Sequence, residues 1–139
     1  IAVGQQAYKA YLDLLNSPRW QRALNFGARP QRLLWASTGM KDPNAPDTLY
    51  ITSLASPFTV NTMPENTLHA FADHGEVGEA LPACGGNSGA LLAEFEKAGV
   101  DVQALAAKLQ KDGADSFVQS WNELMDVIIS KSESLANVD

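Results

Sequence analysis

Residues 29–39 read Arg29-Pro30-Gln31-Arg32-Leu33-Leu34-Trp35-Ala36-Ser37-Thr38-Gly39, and this stretch decides the fold. Pro30 lacks a backbone N–H and blocks a helix through it. Residues 32–38 show no 3.6-residue period. Four consecutive apolar residues, Leu33 to Ala36, are bounded by polar ones. That pattern predicts a strand buried on both faces, as is usual in parallel sheets. The following loop, residues 39–47, is rich in turn formers: Gly39, Asp42, Pro43, Asn44, Pro46 and Asp47. Asp47 is expected to cap a short helix over residues 49–54, although 49–52 also reads as strand. A second strand is expected at residues 58–62.

Helices surround these strands. Val3, Ala7, Tyr8, Tyr11, Leu12 and Leu15 recur at helical spacing, and Ser17-Pro18 reads as the cap and first residue of a second, shorter helix carrying Trp20, Ala23, Leu24 and Phe26 and ending at Gly27. Pro64 is expected to open a helix with Leu68, Phe71 and Ala72 inward and Gly75 as its stop. Residues 76–88 read as loop. Asn87 or Ser88 caps a helix over 90–98 that ends at Gly99. Asp101 caps one over 102–111 that ends at Gly113, and Asp115 caps a last one reaching about Leu135. The stripe Phe117, Val118, Trp121, Leu124, Met125, Ile128 and Ile129 is the strongest periodic signal and reads as core.

Strands alternating with helices indicate parallel α/β construction. Only two strands are convincing, and a two-stranded sheet buried on both faces would leave both outer edges unpaired. These strands call for neighbours that the chain does not contain, so a portion of a larger α/β domain is expected rather than a complete small one. The first residue is Ile, which fits a longer parent chain cut or processed at this point.

Composition narrows the function. The 139 residues are 45% hydrophobic and 19% charged, too apolar for a disordered tail. Apolar runs stop at four residues, excluding a membrane-spanning helix. Net charge is −6, but residues 1–41 carry six Lys/Arg against one acid and the remainder four Lys against fifteen. Nucleic acid is a poor partner for so acidic a chain, whereas a small anion near the basic third is possible chemistry. One cysteine, Cys84, excludes an internal disulfide and a multi-Cys zinc site, and no base flanks it. His69 and His74 are five apart, the wrong spacing for a helical metal pair, so no metal is expected, and His74 reads as a complement to its helix C-terminus. Gly85-Gly86-Asn87-Ser88-Gly89 lacks the ending of a phosphate loop and reads as a helix start.

Ser37, Thr38 and Lys41 lie at and beyond the end of the first strand, where parallel α/β proteins place their sites. Hydroxyls donate to phosphate oxygens and Lys supplies charge. The same residues are also common at ordinary strand ends. Asn61 and Thr62 end the second strand likewise, and Asn61 could line a site or tie strand to strand.

Residues 28–43 resemble the segment of bacterial transaldolases that reads roughly ARPQRPLWASTGTKNP. Asp47-Thr48-Leu49-Tyr50, Thr59-Val60-Asn61-Thr62-Met63-Pro64, and Leu68 through Asp73-His74-Gly75 continue in register, and Ser120-Trp121-Asn122-Glu123-Leu124 resembles the family's last helix. The resemblance covers about residues 1–130, within the branch that includes transaldolase/glucose-6-phosphate isomerase fusions. It implies that residues 1–139 are the C-terminal portion of one (β/α)8 TIM-barrel domain, contributing about two parallel strands and several helices, and are not an independent complete domain.

The resemblance further implies a cytoplasmic transferase of carbohydrate metabolism, in the pentose phosphate pathway. Such enzymes move a dihydroxyacetone unit between fructose 6-phosphate, erythrose 4-phosphate and sedoheptulose 7-phosphate. They work through a lysine Schiff base, without metal or organic cofactor. The family's lysine sits in a segment resembling Ile-Lys-Val-Pro-Ala-Thr, upstream of this region. No catalytic nucleophile is therefore assigned here, and the segment alone is expected to be inactive. The phosphate end carries over: Ser37 matches the family's serine at that strand end, Lys41 is the candidate cation where other transaldolase branches place an arginine, and Thr38 and Asn61 come after them. The expected partners are sugar phosphates and the remainder of the barrel. The alternative is a stand-alone, non-catalytic helical interaction module derived from a transaldolase, with residues 88–135 packing together.

Overall fold

The computed structural model describes residues 1–136. The chain divides into two compact units, residues 1–93 and 94–139, with the boundary inside one helix. The element order is α1 (Ala2–Asn16), α2 (Pro18–Asn25), β1 (Leu33–Trp35), α3 (Leu49–Ser53), β2 (Thr59–Asn61), α4 (Glu65–His74), α5 (Ser88–Lys97) and α6 (Val102–Ala136).

Ser17 explains the break between α1 and α2. Its hydroxyl donates to the Leu14 carbonyl at 2.7 Å and accepts from the Trp20 N–H at 3.2 Å, capping the end of one helix and the start of the next. Gly27 and Gly99 terminate α2 and α5 in left-handed backbone, each at φ +90°. In both places the residue after the glycine donates back to the helix, Ala28 N to Ala23 O and Val100 N to Phe95 O. This is the glycine-terminated helix end expected from the sequence.

The strands pair in parallel, Leu33 opposite Thr59, Leu34 opposite Val60 and Trp35 opposite Asn61. The Thr62 N–H extends the ladder to the Trp35 carbonyl at 2.9 Å. Each strand is only three residues long, shorter than the spans expected. The expected burial on both faces is not found. Trp35 is buried and Leu33 half-buried, whereas Leu34 is 50% exposed. Within residues 1–93 the core lies on one face of this sheet only. That core joins Tyr8 of α1, Trp35 of β1, Leu54 after α3 and Leu81 of the loop after α4, with Tyr11, Leu12, Leu33 and Tyr50 against it.

Polar contacts tie the segment between α3 and β2 to the same cluster. The Tyr8 hydroxyl donates to Pro57 O at 3.3 Å, Trp35 Nε1 donates to Ser56 Oγ at 3.4 Å, and the Leu81 N–H donates to Ala55 O at 2.8 Å. Burial, and secondarily the neighbouring Tyr11, raise the Tyr8 pKa above that of a free phenol.

Several expectations need correction. Asp47 does not cap α3: Thr48 holds the cap position without a side-chain bond, because the Asp47 carboxylate is taken by His74. In α1, Val3 is 62% exposed, and in α2, Leu24 and Phe26 are exposed. In α4, Thr67 is buried and Phe71 half-buried, whereas Leu68 and Ala72 face solvent, one helical step away from the expected stripe.

Residues 94–136 hold the end of α5 and all of α6. Asp101 caps α6, accepting from the Ala104 N–H at 2.8 Å. The expected stop at Gly113 is absent, and α6 runs unbroken for 35 residues, roughly 50 Å. Ion pairs Lys108–Asp112 and Lys111–Asp115 bridge the turns around Gly113, and Gly113 keeps ordinary helical backbone. The stripe read as core is in solvent: Phe117 is 82% and Trp121 62% exposed. Periodicity reports what a helix can bury, not whether a partner is there to bury it.

Nothing lies within 4 Å of the position a Cβ would take on Gly113. Replacing Gly113 with Ala therefore adds helix propensity without a clash, worth about 1 kcal/mol. A peptide spanning residues 102–136 is expected to gain helicity by circular dichroism; a loss would mean that the helix needs the glycine.

Candidate functional site

The carboxyl ends of β1 and β2 lie side by side, and the candidate residues gather there. Ser37 follows β1 with φ +56°, in the left-handed region that costs a non-glycine residue about 1 kcal/mol. Such strain persists only where the surroundings over-determine it. Thr38, the next residue, supplies that constraint. It is 3% exposed, and its Oγ1 lies 2.8 Å from both Asn61 Oδ1 and the Thr62 carbonyl oxygen. A hydroxyl carries one proton, so these two acceptors use all that Thr38 can donate. Thr38 and Asn61 are thereby engaged with each other across the sheet.

Ser37 and Lys41 are exposed and line one open concavity of about 370 Å³, together with Gly39, Met40, Asp42 and Tyr50. The four sequence candidates thus fall into two pairs. Ser37 and Lys41 face an accessible space, while Thr38 and Asn61 hold the strand ends together. Asp42 and Tyr50 line the same space and were not anticipated. Asp42 has a local task, accepting from the Asn44 N–H at 2.9 Å in a tight turn.

The loop of residues 39–47 is fixed at both ends against α4. A Cβ on Gly39 would sit 2.9 Å from Pro64 Cγ and 3.6 Å from Thr67 Oγ1, so glycine permits this close approach. At the other end, His74 Nε2 lies 2.9 Å from Asp47 Oδ1, and His74 Nδ1 lies 3.2 Å from Asp73 Oδ2. Hydrogen bonds to Asp47, then to Asp73, raise the His74 pKa above its ordinary value near 6.5. A raised folded-state pKa means that the pair's contribution is complete below about pH 6.5 and is lost as pH rises through the higher value.

Among the described residues no group of three or more His, Cys, Asp or Glu side chains is placed to hold a metal ion. His69 lies 3.7 Å from Glu65, with both side chains in solvent. The Gly85–Gly86 segment is a turn leading into α5, with both glycines at positive φ. No helix among the described residues is long and apolar enough to cross a membrane.

Parallel strands, flanking helices and a polar cluster at the strand carboxyl ends define an α/β chain whose architecture is that of part of an α/β barrel. The chain belongs to the Transaldolase/Fructose-6-phosphate aldolase family, whose model matches residues 1–128. It is 47% identical over 138 residues to a transaldolase of Parafrankia sp. (strain EAN1pec), covering 99% of this chain and 37% of that protein. It is 47% identical over 127 residues to a transaldolase of Thermobifida fusca (strain YX), covering 91% and 34%. A transaldolase of Renibacterium salmoninarum is 43% identical over 137 residues, covering 98% and 37%. The chain thus spans about a third of the length of the curated relatives it matches.

Replacing Thr38 with Val removes the buried hydroxyl and keeps its shape. It should leave Asn61 short of a partner and lower stability by about 1–3 kcal/mol. Urea unfolding measures this, and an unchanged midpoint would show that the contact contributes nothing.

Proposed function

We propose that residues 1–139 form the C-terminal portion of a single transaldolase barrel and supply part of its sugar-phosphate subsite. The observation that carries this reading is the placement of Ser37 and Lys41 around one concavity at the end of a parallel strand, in a chain of this family. Barrel enzymes commonly bind phosphate with loops after their last strands. Ser37 is the hydroxyl donor and Lys41 the cation; Thr38 and Asn61 hold the loop that presents them.

The three-strand-residue ladder with one uncovered face also supports it. Leu34 stands on the open face of β1, where the remaining strands of a barrel would cover it. The alternative, a stand-alone helical module, was motivated by residues 88–135 packing together. It gains no support from α6, which has no buried residue.

In this reading the substrates are the phosphorylated ketoses and aldoses of the transaldolase reaction, fructose 6-phosphate and erythrose 4-phosphate among them. The Schiff-base lysine and the proton-transferring carboxylates lie outside residues 1–139, and the segment alone is inactive. The setting is the cytoplasm. The phosphate of fructose 6-phosphate is remote from the C2 carbonyl that forms the imine. Its binding therefore acts on ground and transition states alike.

Two measurements follow. Replacing Lys41 with Ala in the complete enzyme should raise KM for phosphorylated substrates about tenfold while borohydride still traps the imine. An unchanged KM would remove Lys41 from the subsite. Separately, fructose 6-phosphate followed by borohydride should leave the 14.9 kDa chain at its own intact mass, the adduct appearing on the part that carries the lysine. A dihydroxyacetone adduct on the 14.9 kDa chain would overturn the division of roles.

A further inference from the structure

The loop bearing Lys41 is tied near both of its ends. Its first end is fixed permanently: Thr38 is buried and bonded to β2, and Gly39 is wedged against Pro64 and Thr67 at the start of α4. Its second end runs into α3, where the Leu49 N–H donates to the Pro46 carbonyl at 3.0 Å and Thr48 is buried, and is tied to α4 by a side-chain contact, Asp47 to His74, across 27 residues of sequence. Both anchors lie on α4, one at each end, so a ten-residue helix sets the span that the loop must bridge. Between the anchors the loop has only short-range turns, Asn44 N to Asp42 Oδ1 and Ala45 N to Asp42 O.

We propose that Asp47 and His74 form a latch that holds the Lys41 loop in its phosphate-binding shape, making His74 a positioning residue. The proposal rests on the phosphate-subsite reading above.

The latch depends on protonation. A neutral imidazole has one N–H, which Asp47 and Asp73 must contest, whereas an imidazolium donates to both. Asp73 is its chain neighbour and keeps its place either way. On deprotonation the ring loses its charge, so the contact to Asp47, the shorter of the two at 2.9 Å, changes from an ion pair to at most a neutral hydrogen bond and weakens. The charged groups around the ring are Asp47 from the loop, Asp73 from its own helix, and Glu76, which lines the same open concavity beside Thr48, Thr52 and Ser53. Of these, Asp47 and then Asp73 favour the imidazolium. His74 and Asp47 are each more than half exposed, so the effect expected is modest.

The test uses the complete enzyme, with His74→Ala, Asp47→Asn, His74→Lys and Lys41→Ala compared against wild type. At pH 6.0, His74→Ala and Asp47→Asn should raise KM for fructose 6-phosphate about threefold with kcat unchanged. The ratio of variant to wild-type KM, which cancels titration of the sugar phosphate itself, should fall toward one by pH 9. His74→Lys, a cation across this range, should keep the wild-type KM at pH 6.0 and lose the pH dependence. Amide hydrogen exchange in residues 39–47 should quicken in His74→Ala, and the Asp47→Asn variant should show a lower His74 pKa by NMR.

If Lys41→Ala raises KM but His74→Ala does not at pH 6.0, the latch is wrong and the subsite reading stands. A ratio that does not vary with pH, or exchange that does not change, also overturns the latch. If Lys41→Ala leaves KM unaltered, the subsite reading fails and the latch fails with it.

Discussion

Two three-residue strands do not hold each other together in water. The constraint on which residues 1–93 depend is the packing of Trp35 against Tyr8, Leu54 and Leu81, which fastens one face of the ladder to α1 and to the loops on either side. Loss of a buried tryptophan typically costs 3–5 kcal/mol, about what a small ladder can least spare. The cluster carries aromatic residues with polar tips; those of Tyr8 and Trp35 are bonded, whereas the buried Tyr11 hydroxyl beside them has no partner among the described residues. Tyr8, Trp35 and the Leu81 backbone all reach the same few residues between α3 and β2. That segment delivers Thr59 into register, so the core and the strand pairing are one construction and not two.

The candidate site inherits its geometry from this arrangement. Because β1 and β2 end level, one buried hydroxyl, that of Thr38, can reach both Asn61 and the Thr62 carbonyl. Spending its proton internally removes Thr38 as a donor to a ligand and lets Ser37 sit in left-handed backbone beside it. The strained residue, Ser37, is thus the exposed one, and the buried Thr38 beside it supplies the contacts that hold it there. This is a common separation between residues that shape a site and residues that touch a ligand.

Much of this is legible in the sequence alone. Pro30 and the Leu33-Leu34-Trp35-Ala36 run located β1, Ser17-Pro18 located the helix break, and Gly27, Gly99 and Asp101 marked helix ends, because each is a local steric or hydrogen-bonding rule. The grouping of Ser37, Thr38, Lys41 and Asn61 near one another followed from their positions at strand ends. What was not legible depends on partners distant in sequence. Nothing at position 47 announces position 74, so Asp47 read as a cap and His74 as a helix-end charge. Leu81 sat in a segment read as loop, yet it completes the core. Gly113 reads as a stop because glycine often is one, but Lys108–Asp112 before it and Lys111–Asp115 across it, both at i, i+4 spacing, brace the helix there. Residues 117–129 read as core because amphipathicity records an intended burial and is silent about its source.

The register of β1 on β2 has a kinetic side as well. Leu33 meets Thr59 only after a segment of 26 residues has closed on itself, whereas every hydrogen bond within α6 joins residues about four apart. Helix growth takes nanoseconds per residue, while closing long segments into strand pairs is slower by orders of magnitude. The long helix is thus available almost as soon as it is made, and the ladder arrives late. The carboxyl ends that carry Ser37 and Asn61 are among the last parts of the chain to be assembled.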